Sequence, residues 1–505
     1  MVAFLVLGWS RNHYWDEYFY LYSALAHTPR SLISLERESG LFPVGFFSGK
    51  IGHVVLLEGL VALLGAGRRA LFGVELTYTG LLLGFVASGY AVFRQLVDAR
   101  RARRAAVVLL FLPVTLYLAW KPLSEVPSLL LVTLACAAFL ASFGAPPARS
   151  RAWLAAAALA LALGSLCRVT MAIGFAGLIA ALVAAGGRRF PIRAVARRAA
   201  WVGGTAALIA GAGLALAGGS DLPSLTLAWR VATRPNPLER VYALVFAVQG
   251  FLVALLFLPG PPLRRGDRLA LTWLLVSAVP FLAGHEPRYY APALLPLALL
   301  VGSGLDRIAS LGARALPRWG WAGALAAIVM LNRAGMRDLM PHEVDQRDLA
   351  AIVPASGTIF VPWTSDYGFL RFEFPRRRIL LALSETNDSD YHWRGTPGVM
   401  RPQDQEWAGP GRYAGRRDFL EREPGPWYYV GWTYNPAVLH ARRIFQRMGI
   451  HLLDDFNRLH LHSHLAGSWI WWDPDLELRP VARRGRYSLY RIERRAPLAH
   501  GIGTP

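Results

Sequence analysis

Cysteine and lysine are nearly missing from this chain of 505 residues. The two cysteines, Cys136 and Cys167, fall in or beside apolar stretches, which excludes a disulfide framework, a cysteine metal centre and thiol redox chemistry. Lysine occurs only at Lys50 and Lys121, so the basic excess is carried by arginine. Charge is scarce altogether: 17% of residues are charged and 54% hydrophobic, too apolar a balance for a soluble protein of this length. No internal repeat is found, and no cleavable signal pattern follows the short apolar stub Val2–Trp9. The first span is therefore read as truncated at its amino end or as starting upstream of Met1.

What is present comes in blocks. Segments 71–96, 105–120, 126–143, 200–217, 241–259 and 289–305 are long, or nearly long enough, for the ~20 residues that a ~30 Å hydrocarbon core requires. The fold class expected is a polytopic α-helical membrane protein of about 11 spans, the first incomplete. A net charge of +21 would suit nucleic-acid binding, but the arginines sit in short hinges between apolar blocks, so no nucleic acid is expected as a partner. The hinges are Arg100–Arg104, Arg149 with Arg151, Arg188–Arg198, Arg264–Arg268 and Arg307–Arg318; the positive-inside rule puts all five in the cytoplasm.

The connectors at 121–125, near 168, at 218–240, at 285–289 and after 332 then face outside. That leaves Arg68 and Arg69 outside, against the trend. Residues 46–66, with Lys50, His53, Glu58 and repeated glycine, suit an interfacial or re-entrant helix. Residues 1–332 form the membrane domain, with outer-face loop helices over 13–66. Residues 333–505 hold no spanning block and are expected to be a separate extracytoplasmic α/β domain, with strands near 358–363, 378–383, 427–432 and 487–492, a helix over 436–448 and a loop-rich stretch at 384–425.

The outer face collects the chemistry-bearing side chains. Asp16 and Glu17 lie in the aromatic run Tyr14–Tyr20, and an acid at a membrane boundary is costly unless it has a function. Lys121 and Glu125, Arg168, and His285, Glu286, Arg288 and Tyr289 project from three further connectors. Acids that serve as a base, together with arginines whose planar forks match phosphate, suit a lipid-phosphate substrate. Each has a plainer reading. Asp16 could cap an interfacial helix, Glu17 could pair with an arginine or face water, and Glu125 could cap its helix. Arg168 could snorkel, and Glu286 could pair with Arg288. Arg230, Arg234 and Arg240 suit anionic headgroups or simple exposure. His460, His462 and His464 would share one face of a strand, where a packed or solvated strand outweighs a metal site.

These motifs resemble the GT-C superfamily of membrane glycosyltransferases, the group that includes protein O-mannosyltransferases, the lipid A aminoarabinose transferase and the dolichol-phosphate-mannose enzymes. The resemblance rests on Asp16-Glu17 with Tyr20, a surface helix within 43–65, Ser124-Glu125, Leu166-Cys167-Arg168-Val169-Thr170, and His285-Glu286-x-Arg288-Tyr289 with Pro292 and Pro296. The last of these looks most like the mannosyltransferases that act on lipid-linked glycans. The resemblance implies an inverting transfer of a sugar from a polyprenyl-phosphate donor to a hydroxyl of a lipid, glycan or protein acceptor. It implies Asp16 as catalytic carboxylate and Glu17, Lys121, Glu125, Arg168, His285, Glu286, Arg288 and Tyr289 as substrate-binding. No cofactor is required; a divalent metal is compatible but not indicated. The location implied is a prokaryotic cytoplasmic membrane, with the active site and C-terminal domain extracytoplasmic and membrane lipids as surroundings. The competing expectation is a transporter or flippase of a lipid-linked anion.

Overall fold

The computed structural model describes residues 12–13, 20–21, 48–216, 265–278, 287–310, 344–362, 364–381, 425–432, 470, 473–485 and 487–495. A short strand β1 (Asn12–His13) and a 3-10 turn (Ser48–Lys50) precede helices α1 (Ile51–Leu64), α2 (Arg68–Leu96), α3 (Ala99–Phe111) and α4 (Pro113–Leu118). Then come α5 (Glu125–Ala141), α6 (Pro147–Cys167), a 3-10 turn (Val169–Ala172), α7 (Ile173–Ala185) and α8 (Ile192–Leu216). Beyond them lie α9 (Arg265–Ser277), a 3-10 turn (Pro287–Ala293) and α10 (Leu294–Ser310).

Four segments, Arg68–Leu96, Pro147–Cys167, Ile192–Leu216 and Arg288–Ile308, are long and apolar enough to cross a membrane, and three shorter apolar helices accompany them. At 29 residues, α2 reaches about 43 Å, more than the hydrocarbon core requires. The chain is an integral membrane protein. The expected span at 241–259 lies outside the described residues. The block 105–120 is broken rather than continuous: Leu112 is extended (φ −58°, ψ 137°) because Pro113 follows it and lacks the N–H that a continued helix would bond.

The bundle has two unlike ends. The described parts of the arginine hinges gather at one. Asp98 caps α3 by accepting from the amides of Arg100 and Arg101 at 3.1 and 3.0 Å. Asp306 pairs with Arg101 at 3.6 Å and with Arg104, while Asp267 accepts from Arg307 at 2.9 Å. Ser142 Oγ accepts from Arg198 at 3.0 Å, and its carbonyl accepts from Ser150 Oγ at 3.0 Å, so the remaining hinges meet there too. Helices approach closely where glycine permits. On α7, a Cβ at Gly177 would come within 2.6 Å of Ser277 Oγ and 3.0 Å of the Trp273 carbonyl, and Trp273 Nε1 donates to the Gly174 carbonyl at 2.7 Å.

The opposite end carries the C-terminal region. Its elements are β2 (Val344–Asp345), α11 (Gln346–Ile352), β3 (Thr358–Val361), α12 (Thr364–Glu373), β4 (Arg378–Leu381), β5 (Trp427–Trp432), β6 (Leu476–Arg484) and β7 (Tyr487–Arg494). Five strands form one mixed sheet in the order β4-β3-β5-β7-β6, with β3 parallel to β4 and β5, and β7 antiparallel to β5 and β6. β6 was not expected from the sequence: it is an edge strand, rich in arginine and bulged between Pro480 and Ala482, so it lacks an apolar alternation. Alternation along β3 sends Ile359 and Val361 into a core continuous with the bundle and Phe360 into a second cluster with Leu380, Trp427 and Tyr429. The expected boundary at 332/333, the helix at 436–448, the loop-rich 384–424 and His460, His462 and His464 lie outside the described residues.

The sheet region docks on the turn between α1 and α2. The Gly67 amide donates to the Phe372 carbonyl at 2.9 Å, and Gln346 Nε2 donates to Glu75 Oε1 at 2.9 Å. Gly67 adopts φ +101°, a conformation that favours glycine. Arg68, anomalous for the positive-inside rule, lies within the field of Glu373 on α12. Burial raises the Glu373 carboxyl above the ordinary glutamate range, Arg68 opposes the rise and Glu75 adds to it.

Two outcomes follow. Gly177→Ala forces α7 off α9 and is expected to cost about 1–3 kcal/mol, read as a lowered melting temperature in detergent, whereas Gly203→Ala, with open space around it, is expected to change little. A raised folded pKa favours the native state below it, so the contribution of Glu373 is lost as pH rises through that pKa. Glu373→Gln is expected to flatten the fall of melting temperature between acid and neutral pH.

Candidate active site

Ser124 and Glu125 open α5 directly after the loop 119–124, so the Glu125 carboxylate lies at the positive end of the helix dipole. It is fully buried. Arg168, the residue just past the end of α6, brings Nη1 to 2.8 Å from Glu125 Oε1, and Arg288, in the turn before α10, brings Nε to 3.6 Å from the same oxygen. Ser124 Oγ donates to Glu125 Oε2 at 3.1 Å and accepts from Arg168 Nη1 at 3.2 Å. Three connectors far apart in sequence thus meet at one carboxylate.

Arg168 does not snorkel. It is 8% exposed and turned inward, and Ser128 Oγ braces its end of α6 by donating to the Gly164 carbonyl at 2.7 Å, with the Arg168 carbonyl 3.4 Å from the same oxygen. The ring of Tyr289 lies beneath both guanidinium groups, 5.4 Å from that of Arg168 and 5.8 Å from that of Arg288. Lys121 is buried in the preceding loop, its ammonium 3.9 Å from the centre of the Tyr117 ring. Asp16, Glu17, His285 and Glu286 lie outside the described residues.

Helix α1 adds residues that the sequence did not single out as site residues. A Cβ at Gly52 would lie 3.1 Å from Cys167 N, so the start of α1 rests on the end of α6 beside Arg168. There Lys50 bonds the Tyr20 hydroxyl and lies 5.0 Å from its ring centre, close enough for its charge to act on Glu125 and His53. His53 is buried, with Nδ1 2.9 Å from the Tyr78 hydroxyl and its ring edge-on to Tyr20 at 4.9 Å. The one signal for this group was a lysine and a histidine inside an otherwise apolar stretch; Tyr78, inside a span, carried none.

Among the described residues, one carboxylate faces two guanidinium groups, and the Lys50 ammonium acts on it as well. Among the described residues, four buried polar atoms of this group have no hydrogen-bond partner: Arg168 Nε, Thr170 Oγ1, His53 Nε2 and Glu125 Oε1, the last of which is met by Arg168 as an ion pair. Buried donors left without a partner are costly, and an anion with several acceptor oxygens satisfies them. Among the described residues no group of three or more His, Cys, Asp or Glu could hold a metal ion.

Compared with solved structures, the chain is similar to ArnT from Cupriavidus metallidurans, both in the apo state and bound to undecaprenyl phosphate. Each match has a TM-score of 0.53 and 15% sequence identity and covers 97% of this chain and 96% of that one. The chain has an ArnT-like fold. No protein-family model matches the sequence, and no curated protein matches it. In this ArnT-like fold the Glu125, Arg168 and Arg288 cluster lies at the end of the bundle opposite the arginine hinges.

Removing the shared carboxylate takes from Arg168 and Arg288 the buried acid that both face. Glu125→Leu is expected to destabilise the protein by about 3–5 kcal/mol, and Glu125→Leu combined with Arg168→Met to recover part of that loss, measured as a double-mutant cycle on melting in detergent.

Proposed function

We propose that this protein is a membrane glycosyltransferase that moves a sugar from a polyprenyl-phosphate donor to a hydroxyl acceptor at the outer face of the membrane. The observation that carries the reading is the buried convergence of Arg168 and Arg288 on one Glu125 oxygen, with Arg168 Nε left as a donor without a hydrogen-bond partner. It sits in a fold similar to a protein crystallised with undecaprenyl phosphate. Positive-inside logic supports the outer face, because the arginine hinges occupy the other end.

In this reading Arg168 and Arg288 hold the donor phosphate and stabilise the charge that grows on it as the sugar leaves. Asp16 takes the proton of the acceptor hydroxyl. The acceptor oxygen attacks the anomeric carbon from the side opposite the phosphate, the carbon–oxygen bond to phosphate breaks, and the configuration inverts. A phosphate monoester leaves as a stable anion, so no general acid and no cofactor is needed. Glu125 fixes the spacing of the two arginines, Tyr289 supports both from below, and Lys121, Glu17, His285 and Glu286 are assigned to substrate binding. A mannosyltransferase-like specificity is the form that His285-Glu286-x-Arg288-Tyr289 suggests. A transporter of a lipid-linked anion is not favoured, because the described cationic cluster gathers at helix ends on one side rather than along a path.

The test is transfer from a panel of radiolabelled polyprenyl-phosphate sugars by purified protein in lipid. Asp16→Asn is expected to lower turnover by about 10²–10⁴-fold with donor binding retained. Arg288→Gln is expected to lower it by about 10²–10³-fold. Undiminished turnover in Asp16→Asn removes the base assignment; binding of the lipid phosphate without transfer from any donor turns the reading to transport.

A further inference from the structure

The head of the C-terminal region grips two separate parts of the membrane domain within three residues. Val344 and Asp345, as β2, pair antiparallel with His13 and Asn12 of β1, so the strand that ends three residues before Asp16 is tied there. The next residue, Gln346, opens α11 and donates from Nε2 to Glu75 Oε1 on α2 at 2.9 Å. The Glu75 carbonyl accepts from Thr79 Oγ1, one turn further on, at 2.9 Å. That hydroxyl in turn accepts from the backbone N–H of Trp120 at 3.0 Å. A hydroxyl has one proton to give and lone pairs to receive with, so both bonds coexist on Thr79.

Trp120 is where this chain of contacts matters. Its φ of +63° lies in the left-handed region, which costs a bulky L-residue on the order of 1–3 kcal/mol and persists only where the surroundings impose it. Here they impose it from two sides: Thr79 holds the amide, and Phe72 on α2 stacks on the indole at 5.9 Å between ring centres and 27° between planes. The turn that results sends the chain through Lys121, Pro122 and Leu123 into Ser124 and Glu125, the residues that hold Arg168 and Arg288. The start of α2, which carries Phe72, Glu75 and Thr79, is itself anchored to α12 through the Gly67 amide and the Phe372 carbonyl at 2.9 Å.

We infer that Gln346 and Thr79 are positioning residues: the Val344–Gln346 junction is a clamp that holds the strand leading to Asp16 and the strained 119–124 loop leading to Glu125 in fixed register. Resting on the transferase reading above, this makes the C-terminal region part of the device that sets the distance between acceptor base and donor phosphate. A displacement of about 1 Å between reacting groups costs on the order of 10²-fold in rate, so loosening the clamp acts on kcat more than on donor binding.

The test uses the full chain in lipid nanodiscs and two pairs of variants. Thr79→Val is nearly isosteric but strands the Trp120 N–H, whereas Thr79→Ser keeps the hydroxyl; Gln346→Leu removes the donor to Glu75, whereas Gln346→Lys supplies another. Amide hydrogen exchange over residues 119–126 is expected to rise about tenfold or more in Thr79→Val and Gln346→Leu and to stay near wild type in Thr79→Ser and Gln346→Lys. In the same proteins kcat for sugar transfer is expected to fall about tenfold or more in the first pair, while binding of a polyprenyl phosphate without sugar changes by about twofold or less. Unmoved exchange at 119–126 in Gln346→Leu overturns the clamp, and raised exchange with unchanged kcat overturns its positioning role. Exchange is read without substrate, so it decides on the clamp even where the wild type transfers no sugar and the transferase reading itself fails.

Discussion

A carboxylate removed from water must be met by positive charge, and Glu125 is met by two guanidinium groups from different parts of the chain. That constraint gathers the rest of the site. It joins the start of α5 to the end of α6 and to the turn before α10, and it makes the Ser128 brace and the Tyr289 ring useful, since both limit where the arginines can go. Two like charges held side by side repel each other, and the shared carboxylate between them offsets part of that repulsion. Arg168 Nε, without a hydrogen-bond partner, is left as a donor there.

The molecule manages its large basic excess differently at its two ends. Around the arginine hinges, Asp98, Asp267 and Asp306 answer particular arginines, so charge there is spent on fastening helix ends and on orientation in the membrane. At the opposite end, two arginines converge on one buried acid. Arg68 is the instructive exception: its side chain breaks the charge rule for sidedness, and its charge acts on Glu373 of the docked sheet region. A charge rule read along the sequence counts residues, whereas the fold pairs them.

The sheet region is not an appendage in this arrangement. Its helices and strand β3 share one apolar core with the bundle, and its contacts fall on the α1/α2 turn and on β1, the segments that lead into the site. A sheet region attached in this way constrains geometry as well as covering a surface. The strained Trp120 gives the constraint a specific place to act, because a left-handed tryptophan relaxes once its partners are withdrawn.

The apolar blocks at 71–96, 126–143, 200–217 and 289–305 and the connectors that carry Lys121 with Glu125, Arg168, and Arg288 were legible in the sequence, because the length of a hydrophobic run and the position of charge are local properties that a bilayer reads directly. The strands over 358–361, 378–381, 427–432 and 487–494 were legible for the same reason, since alternation is local, whereas the arginine-rich edge strand β6 was not. The sequence named Glu125, Arg168, Arg288 and Tyr289 without saying that a single carboxylate oxygen faces both arginines. It gave no sign of His53 against Tyr78, of Thr79 under Trp120 or of Gln346 on Glu75, partners 25, 41 and 271 residues apart. Pairings at such separations have no period and no motif; helix packing and sheet docking bring them together, so tertiary structure alone decided them.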